Sequence, residues 1–158
     1  MEMKEYLIAT FLFNDQANKK MIEKLATLPD PAEGIRYFSH LANSQYKWMA
    51  RIMQDPGAPQ MSWWEPVYPL DALEKEWKKS LQPWLDLVES KTEAELADDV
   101  EFIGYDGTRW TARLMDIALQ LNYHSIHHRA QMQLVFRNQG LEPDFIDYIG
   151  TKYRRIDR

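Results

Sequence analysis

The stretch from residue 114 to residue 135, LMDIALQLNYHSIHHRAQMQLV, decides the fold because one of its faces keeps helical spacing throughout. The residues of that face step by three and four: Leu114, Ile117, Leu121, His124, His128, Gln131 and Val135. Such spacing is typical of the buried side of a helix. The sequence therefore predicts one long helix, from about Thr111 to Asn138, whose inward face turns polar near its middle.

Two histidines on that face have the spacing of a ligand pair. His124 and His128 are four residues apart, so both imidazoles project from one side of the helix and can bind a single metal ion. A metal site with an open position usually has three protein ligands. His40, far away in sequence, is the candidate for the third, although a lone inward histidine is more often a hydrogen-bonded core residue. His127 falls at the flank of the stripe, so we interpret it as a residue that supports the ligands from behind or lies at an interface.

The first helix shows a similar polar interruption. Its predicted inward stripe consists of Leu7, Phe11, Asn14, Asn18, Met21, Leu25 and Leu28. Burying an amide or an imidazole without a partner costs about 1–3 kcal/mol. We therefore expect Asn14, Asn18 and Gln131 to bond the free imidazole nitrogens. Plain hydrogen bonds between helices are the alternative for the two asparagines.

Two further helices complete the pattern. The second is predicted from about Ala32 to Met53, and a long connection from about 56 to 70 follows it. The third helix is predicted to start at Asp71, as an N-cap with a capping box to Glu74, and to kink or break at Pro83. Its inward stripe is Leu73, Trp77, Leu81, Trp84 and Val88.

A turn signal separates the third helix from the last one. Asp106-Gly107 lies within a short alternating stretch, which predicts a small hairpin. We accordingly predict an all-α fold: one domain over residues 1–158, built as a four-helix bundle with a long crossover between helices 2 and 3 and a small hairpin before helix 4.

Composition narrows the classes of function. The chain has 158 residues, 45% of them apolar, which suits one domain with a single core. With a net charge of −5, the chain lacks the positive electrostatic field that binding to nucleic acid or to an anionic membrane requires, so neither is an expected partner. There is no cysteine, which excludes disulfides, thiolate ligands and a cysteine nucleophile. A cytoplasmic location is expected by default.

Several of these motifs together resemble the DinB-like family, and the resemblance covers nearly the whole chain. The residues that carry it are Asn14 to Asn18, His40 with Trp48 eight residues on, His124-x-x-His127-His128-Arg129-Ala130-Gln131, Gly140-Leu141-Glu142-Pro143 and Asp147-Tyr148. The resemblance departs from the commonest pattern at Ala130, where glycine is frequent, and at Gln45, where glutamate is common. The second departure leaves a general base unassigned.

The resemblance implies a metal-binding bundle that is often a homodimer. Its metal ligands map onto His40, His124 and His128. The superfamily includes bacillithiol S-transferases and mycothiol-dependent maleylpyruvate isomerases, which implies thiol-transfer or isomerase chemistry.

Two hypotheses follow from the sequence. In the first, the protein is an enzyme in which a divalent metal, zinc before nickel, iron or manganese, activates water or the thiol of a low-molecular-weight substrate. Trp63 and Trp64 then shape the mouth of the pocket, unless they simply cover the core. In the second, the protein is a non-catalytic dimeric bundle whose buried histidine and asparagine layer is structural.

Overall fold

The computed structural model describes residues 2–156 and contains four long helices. They are α1 (Met3–Leu25), α2 (Ala32–Ile52), α3 (Leu73–Ser90) and α5 (Leu114–Asn138), with a one-turn helix α4 (Glu93–Leu96) and a hairpin of β1 (Asp99–Ile103) and β2 (Arg109–Arg113) before α5. Helices α1 and α2 each pack against both α3 and α5. The predicted four-helix bundle is confirmed, with the predicted last helix as α5.

The predicted apolar stripes form the core of the bundle. All seven stripe residues predicted for the first helix are buried, and so are all five predicted for the third. Trp77 and Trp84 of α3 are almost completely buried, and each brings a large apolar surface to the centre. Helix α3 runs through Pro83 without ending, so the predicted break does not occur.

The start of α3 differs from the prediction. Residues 70–72 form a 3₁₀ turn, and α3 then begins at Leu73 without a side-chain cap. The predicted capping box of Asp71 and Glu74 is wrong, because the 3₁₀ turn uses Asp71; Glu74 pairs instead with Lys78. A capping box does occur at the start of α4, between Thr92 and Glu95.

The predicted hairpin is present and moves the start of the last helix. Residues 99–103 pair antiparallel with residues 109–113. Gly107 has a φ of 82° in the turn, a conformation that glycine adopts without steric cost. Because Thr111 pairs with Glu101, it belongs to β2, and α5 begins at Leu114 and not near Thr111.

The crossover between α2 and α3 is tied to α2 by a polar stripe. Ser39, Asn43 and Lys47 are spaced four apart and therefore line one side of the helix. They bond backbone groups of the crossover: Ser39 accepts from Tyr68 N–H, Asn43 donates to Pro66 O and Lys47 donates to Met61 O. These bonds fix the path of the segment that carries Trp63 and Trp64. Across residues 2–156, every helix is too short or too polar to span a membrane.

Candidate metal centre

Three histidines from two helices converge at one point in the bundle. His40 comes from α2, and His124 and His128 come from α5. The Nε2 atom of His124 lies 3.1 Å from Nε2 of His40 and 2.9 Å from Nε2 of His128. His40 and His128 are buried and His124 is half-buried. The packing of α2 against α5 thus brings together side chains that are 84 residues apart.

The spacing of the nitrogens fits a metal ion. Zinc binds imidazole nitrogen at about 2.0–2.1 Å, which places two ligand nitrogens about 2.8–3.4 Å apart for bond angles between about 90° and 109°. The two separations from His124, 2.9 and 3.1 Å, fall within this range, and the ligand nitrogens of all three histidines lie within 4.8 Å of one another. The donor set therefore suits a divalent metal that accepts imidazole ligands.

Hydrogen bonds on the far side of two rings set their protonation. His40 Nδ1 lies 2.6 Å from the carbonyl oxygen of Trp63, and His128 Nδ1 lies 2.5 Å from Gln131 Oε1. Both oxygens are acceptors, so each Nδ1 carries the proton and each neutral ring presents a lone pair on Nε2. Those lone pairs face His124 Nε2, which carries at most one proton and can satisfy only one of them. A cation between the rings would satisfy all three.

The histidines resist protonation in the folded protein. Burial, together with the neighbouring rings of His128 and His40, lowers the pKa of His124 to about 4. Burial and the nearby His40 also lower the pKa of His128 to about 4, against the opposing effect of Gln131. Burial lowers the pKa of His40 as well. At neutral pH all three rings are uncharged, the form in which imidazole binds a metal.

Aromatic side chains cover the histidines. The indole of Trp64 stacks on His40 with a centroid distance of 3.9 Å and an angle of 11°, and Tyr37 lies over His128 at 5.7 Å. Trp63 acts differently, because its carbonyl orients His40 while its side chain packs against Trp48. Of the two tryptophans predicted at the pocket, only Trp64 therefore places its ring over the histidines.

The other predicted site residues divide into two groups. Gln131 bonds His128, and the exposed His127 lies beside it with its ring centroid 5.0 Å from that of His128. Asn14 and Asn18 are a correction: they bond Asn122 and Ser125 of α5 and not the imidazoles. The reason is the phase of α1, which faces the side of α5 turned away from the histidine stripe.

The side chains of α5 that form hydrogen bonds with Asn14 and Asn18 were not predicted from the sequence. Asn122, Ser125 and Arg129 are buried and step by three and four along α5, one position after Leu121, His124 and His128. Arg129 donates to Asn18 Oδ1 at 3.0 Å and to Ser125 Oγ at 2.9 Å. Burial lowers the pKa of its guanidinium to about 10. This second polar stripe has the same periodicity as the first, and that signal could have found it.

A carboxylate is absent from the histidine cluster as far as residues 2–156 show. Gln45, which stands where the resemblance leads one to expect glutamate, accepts a hydrogen bond from Ser80 Oγ at 2.7 Å between α2 and α3. It therefore supplies no base to the histidines.

Comparison with known protein families agrees with this arrangement. The DinB family model matches residues 35–158, a segment that contains all three histidines. The chain belongs to the DinB family. Among curated proteins and among solved structures, no similar protein is found. Membership of the DinB family and the three-histidine cluster together fit a metal-binding protein.

Proposed function

We propose that this DinB protein is a metal-dependent enzyme that acts on a small molecule. His40, His124 and His128 would bind one divalent metal through Nε2, with zinc before nickel, iron or manganese. The reaction class is transfer of a small-molecule thiol to an electrophile, or a related hydrolysis. The observation that carries the proposal is the convergence of three neutral imidazoles, two of them with their lone pairs fixed toward one point.

The side chains around the histidines have separate tasks in this proposal. The carbonyl of Trp63 and the amide of Gln131 hold two rings in the ligand tautomer. Trp64 and Tyr37 exclude water from the faces of His40 and His128. A divalent metal held by three neutral ligands supplies a Lewis acid that makes a bound water or thiol more acidic.

The absence of a cysteine and of a carboxylate base determines which chemical groups the substrate must supply. The sequence contains no cysteine, so a thiol nucleophile comes from a small molecule. A carboxylate base is missing from the histidine cluster within residues 2–156, so the acidity of the bound group takes the place of a general base. A low-molecular-weight thiol meets both requirements, because its sulfur is readily deprotonated beside a metal.

A structural role is the second candidate, and one observation favours it. Trp64 and Tyr37 cover two of the three rings, as expected for a closed site. A closed structural zinc site has four protein ligands, whereas a catalytic site keeps one position open. Within residues 2–156 only these three ligand side chains converge, which is why we place the enzyme first.

Metal content tests the ligand set. Protein purified without a histidine tag should contain close to one metal ion per chain by elemental mass spectrometry. His40→Ala, His124→Ala and His128→Ala should each lose it, and the exposed neighbour His127→Ala is the matched control that should keep it. Wild-type protein that cannot be loaded with zinc, nickel or manganese would contradict the proposal.

Cobalt substitution distinguishes the two candidate functions. An open position should let an added small thiol or azide change the visible spectrum of the cobalt protein, and the zinc protein should then accelerate the reaction of that thiol with an alkylating electrophile. A spectrum that does not respond to either ligand would favour the closed structural site.

A further inference from the structure

Two cations lie together near the end of α2 without an anion beside them. Lys47 and Arg51 are four residues apart and therefore lie on one side of the helix. Lys47 Nζ and Arg51 Cζ lie 4.5 and 5.0 Å from the centre of the same ring, that of Trp63. Among residues 2–156, neither cation forms an ion pair with a carboxylate. Buried lysine and arginine side chains are usually paired, so this cluster carries unbalanced positive charge.

The guanidinium of Arg51 is held among three aromatic rings. Its Cζ lies 4.6 Å from the centre of the Trp48 ring and 5.0 Å from the centres of the Trp63 and Phe102 rings. The three rings come from α2, the crossover and β1, and Trp48 packs edge to face on Phe102. A guanidinium stacks favourably on aromatic faces, so the rings restrict its orientation. The charge of Arg51 is therefore held in place before any ligand binds.

Only one edge of this guanidinium reaches solvent. The Nε atom of Arg51 is buried and has no acceptor among residues 2–156. The two terminal nitrogens also have no acceptor in that part of the chain, but they keep accessible surface. A ligand therefore reaches Arg51 through the terminal nitrogens alone, and Nε plays no part in the contact. Two such nitrogens match the two oxygens of a carboxylate.

The hydrogen bonds of the protein leave this edge open. An arginine in the last turn of a helix can bond the terminal carbonyls, but Arg51 bonds none of them within residues 2–156. Gln54 Nε2 donates instead to the carbonyl oxygens of Arg51 and Glu101. The carboxylate of Glu101 pairs with Arg109 across the hairpin, and Asp55 Oδ1 accepts from the backbone N–H two residues further on. These neighbouring groups thus have other partners.

The charges and the rings together indicate the class of ligand. Burial lowers the pKa of Lys47 and of Arg51, and the charge of Arg51 adds to the effect on Lys47. Two like charges repel each other more strongly where water is partly excluded, and an anion beside Arg51 relieves this repulsion. Trp48, Trp63 and Phe102 are partly exposed, so they offer apolar surface next to the charge. A carboxylate attached to an apolar group uses both features.

We propose that Arg51 binds the carboxylate of a small apolar molecule, with the two oxygens on the terminal nitrogens of the guanidinium. The apolar group lies against the rings of Trp48 and Phe102, and the buried charge of Lys47 strengthens the attraction. The three histidines take no part in this site, so it goes beyond the function proposed above.

Benzoate and benzamide, which have nearly the same shape, test the proposal. Each is titrated into the full-length protein while the indole N–H signals are followed by NMR. Benzoate should bind about tenfold more tightly than benzamide, because only benzoate carries the charge that pairs with Arg51. Benzoate should also bind more tightly than acetate, which has no ring. Benzoate that binds no more tightly than benzamide or than acetate would overturn the proposal.

The tryptophans of the protein locate the ligand within the same titration. The indole signals of Trp48 and Trp63 should shift, because their rings surround the guanidinium. The indole signals of Trp77 and Trp84 should stay in place, since both N–H groups are bonded between the helices. Unchanged signals of Trp48 and Trp63 would place the ligand elsewhere and overturn the proposal.

Two arginine variants assign the charge. Arg51→Gln should abolish the preference for benzoate over benzamide, and unchanged signals of Trp77 and Trp84 verify that the variant is folded. Arg137→Gln is the matched control, because Arg137 is the exposed arginine in the last turn of α5. It should bind benzoate as the wild type does. A preference that survives Arg51→Gln, or that both variants reduce equally, would overturn the proposal.

Two further variants separate the rings and the metal from this charge. Phe102→Leu should reduce the advantage of benzoate over acetate and leave the affinity for acetate unchanged. His128→Ala, which removes a proposed metal ligand, should bind benzoate as the wild type does. Loss of benzoate binding in His128→Ala would mean that the carboxylate binds at the histidines and would overturn the proposal. Metal content tests the proposed function separately, so the two proposals fail independently.

Discussion

The protonation state of His40 is decided by a backbone carbonyl 23 residues away. Trp63 O accepts from His40 Nδ1, and Gln131 plays the same part for His128. A partner at this nitrogen fixes the orientation of a metal-binding imidazole and increases its basicity. The candidate centre therefore depends on two residues that do not point at the shared Nε2 position.

Gln131→Ala should weaken metal binding without removing a ligand. The change deletes the acceptor for His128 Nδ1–H, and loss of such a partner typically costs about 10- to 100-fold in affinity. Competition with a chelating dye measures the affinity. The control is Gln120→Ala, at an exposed position of the same helix. An affinity equal to that of the wild type would show that Gln131 does not orient the ring.

The crossover between α2 and α3 positions the site from outside the bundle. Lys47 is 3% exposed, its Nζ lies 2.5 Å from Met61 O and 4.5 Å from the centre of the Trp63 ring, and burial lowers its pKa. Its bonds end at carbonyls of the crossover, and it has no carboxylate partner among residues 2–156. Lys47 thus holds the segment whose carbonyl orients His40.

Lys47→Met should loosen the crossover and weaken metal binding together. The variant removes the donor to the crossover carbonyls. Leaving these carbonyls without a partner should reduce the free energy of unfolding by about 1–3 kcal/mol. Urea denaturation measures this loss, and hydrogen exchange should increase over residues 56–69. Lys79→Met, at an exposed position of α3, is the control. Reduced stability with unchanged metal affinity would show that the crossover does not position His40.

A metal at the three histidines would link α2 to α5 and so stabilise the whole molecule. A ligand present at 100 times its dissociation constant stabilises the folded state by about 2.7 kcal/mol. For a chain of this size we expect zinc to raise the Tm by about 5–10 °C. Differential scanning calorimetry should show the increase in the wild type and in His127→Ala, and no increase in His128→Ala.

The metal-free protein should lose stability as the pH falls. The pKa values of His124 and His128 are about 4 in the folded state against 6.5 for an ordinary histidine. Below pH 6.5 the unfolded chain therefore binds protons that the folded protein does not. The free energy of unfolding of the metal-free protein is therefore unaffected by these two histidines above pH 6.5 and decreases as the pH falls from 6.5 toward about 4. Urea midpoints between pH 7.5 and pH 4.5 measure it, and the double variant His124→Gln with His128→Gln should show a smaller decrease.

Periodicity was enough to predict the bundle and the pair of candidate ligands on its last helix. The stripes of α1, α3 and α5 are buried as predicted, because apolar residues three and four apart can only be buried together on one side of a helix. The same geometry predicted that His124 and His128 share a face. The Asp106-Gly107 signal predicted the hairpin, since a tight turn with a positive φ is a local property.

Contacts between elements could not be predicted in this way. Strand β2 pairs with β1 as far as Arg113, so α5 begins later than predicted. A 3₁₀ turn occupies the position where the cap of α3 was predicted. The partners of Asn14 and Asn18 depended on which side of α5 faces α1. Periodicity fixes the phase of a residue on its own helix but not which neighbouring helix that phase meets.

The sequence by itself determined that this protein is a helical bundle with a polar interior and that its candidate metal ligands are imidazoles and not thiolates. Only the tertiary structure decided that His40 meets His124 and His128, and that Trp63 contributes its carbonyl and Trp64 its ring. The physical reason is the distance along the chain over which each effect acts. Helical periodicity acts over a few residues, whereas a site assembled from α2, the crossover and α5 exists only once their packing has set the distances.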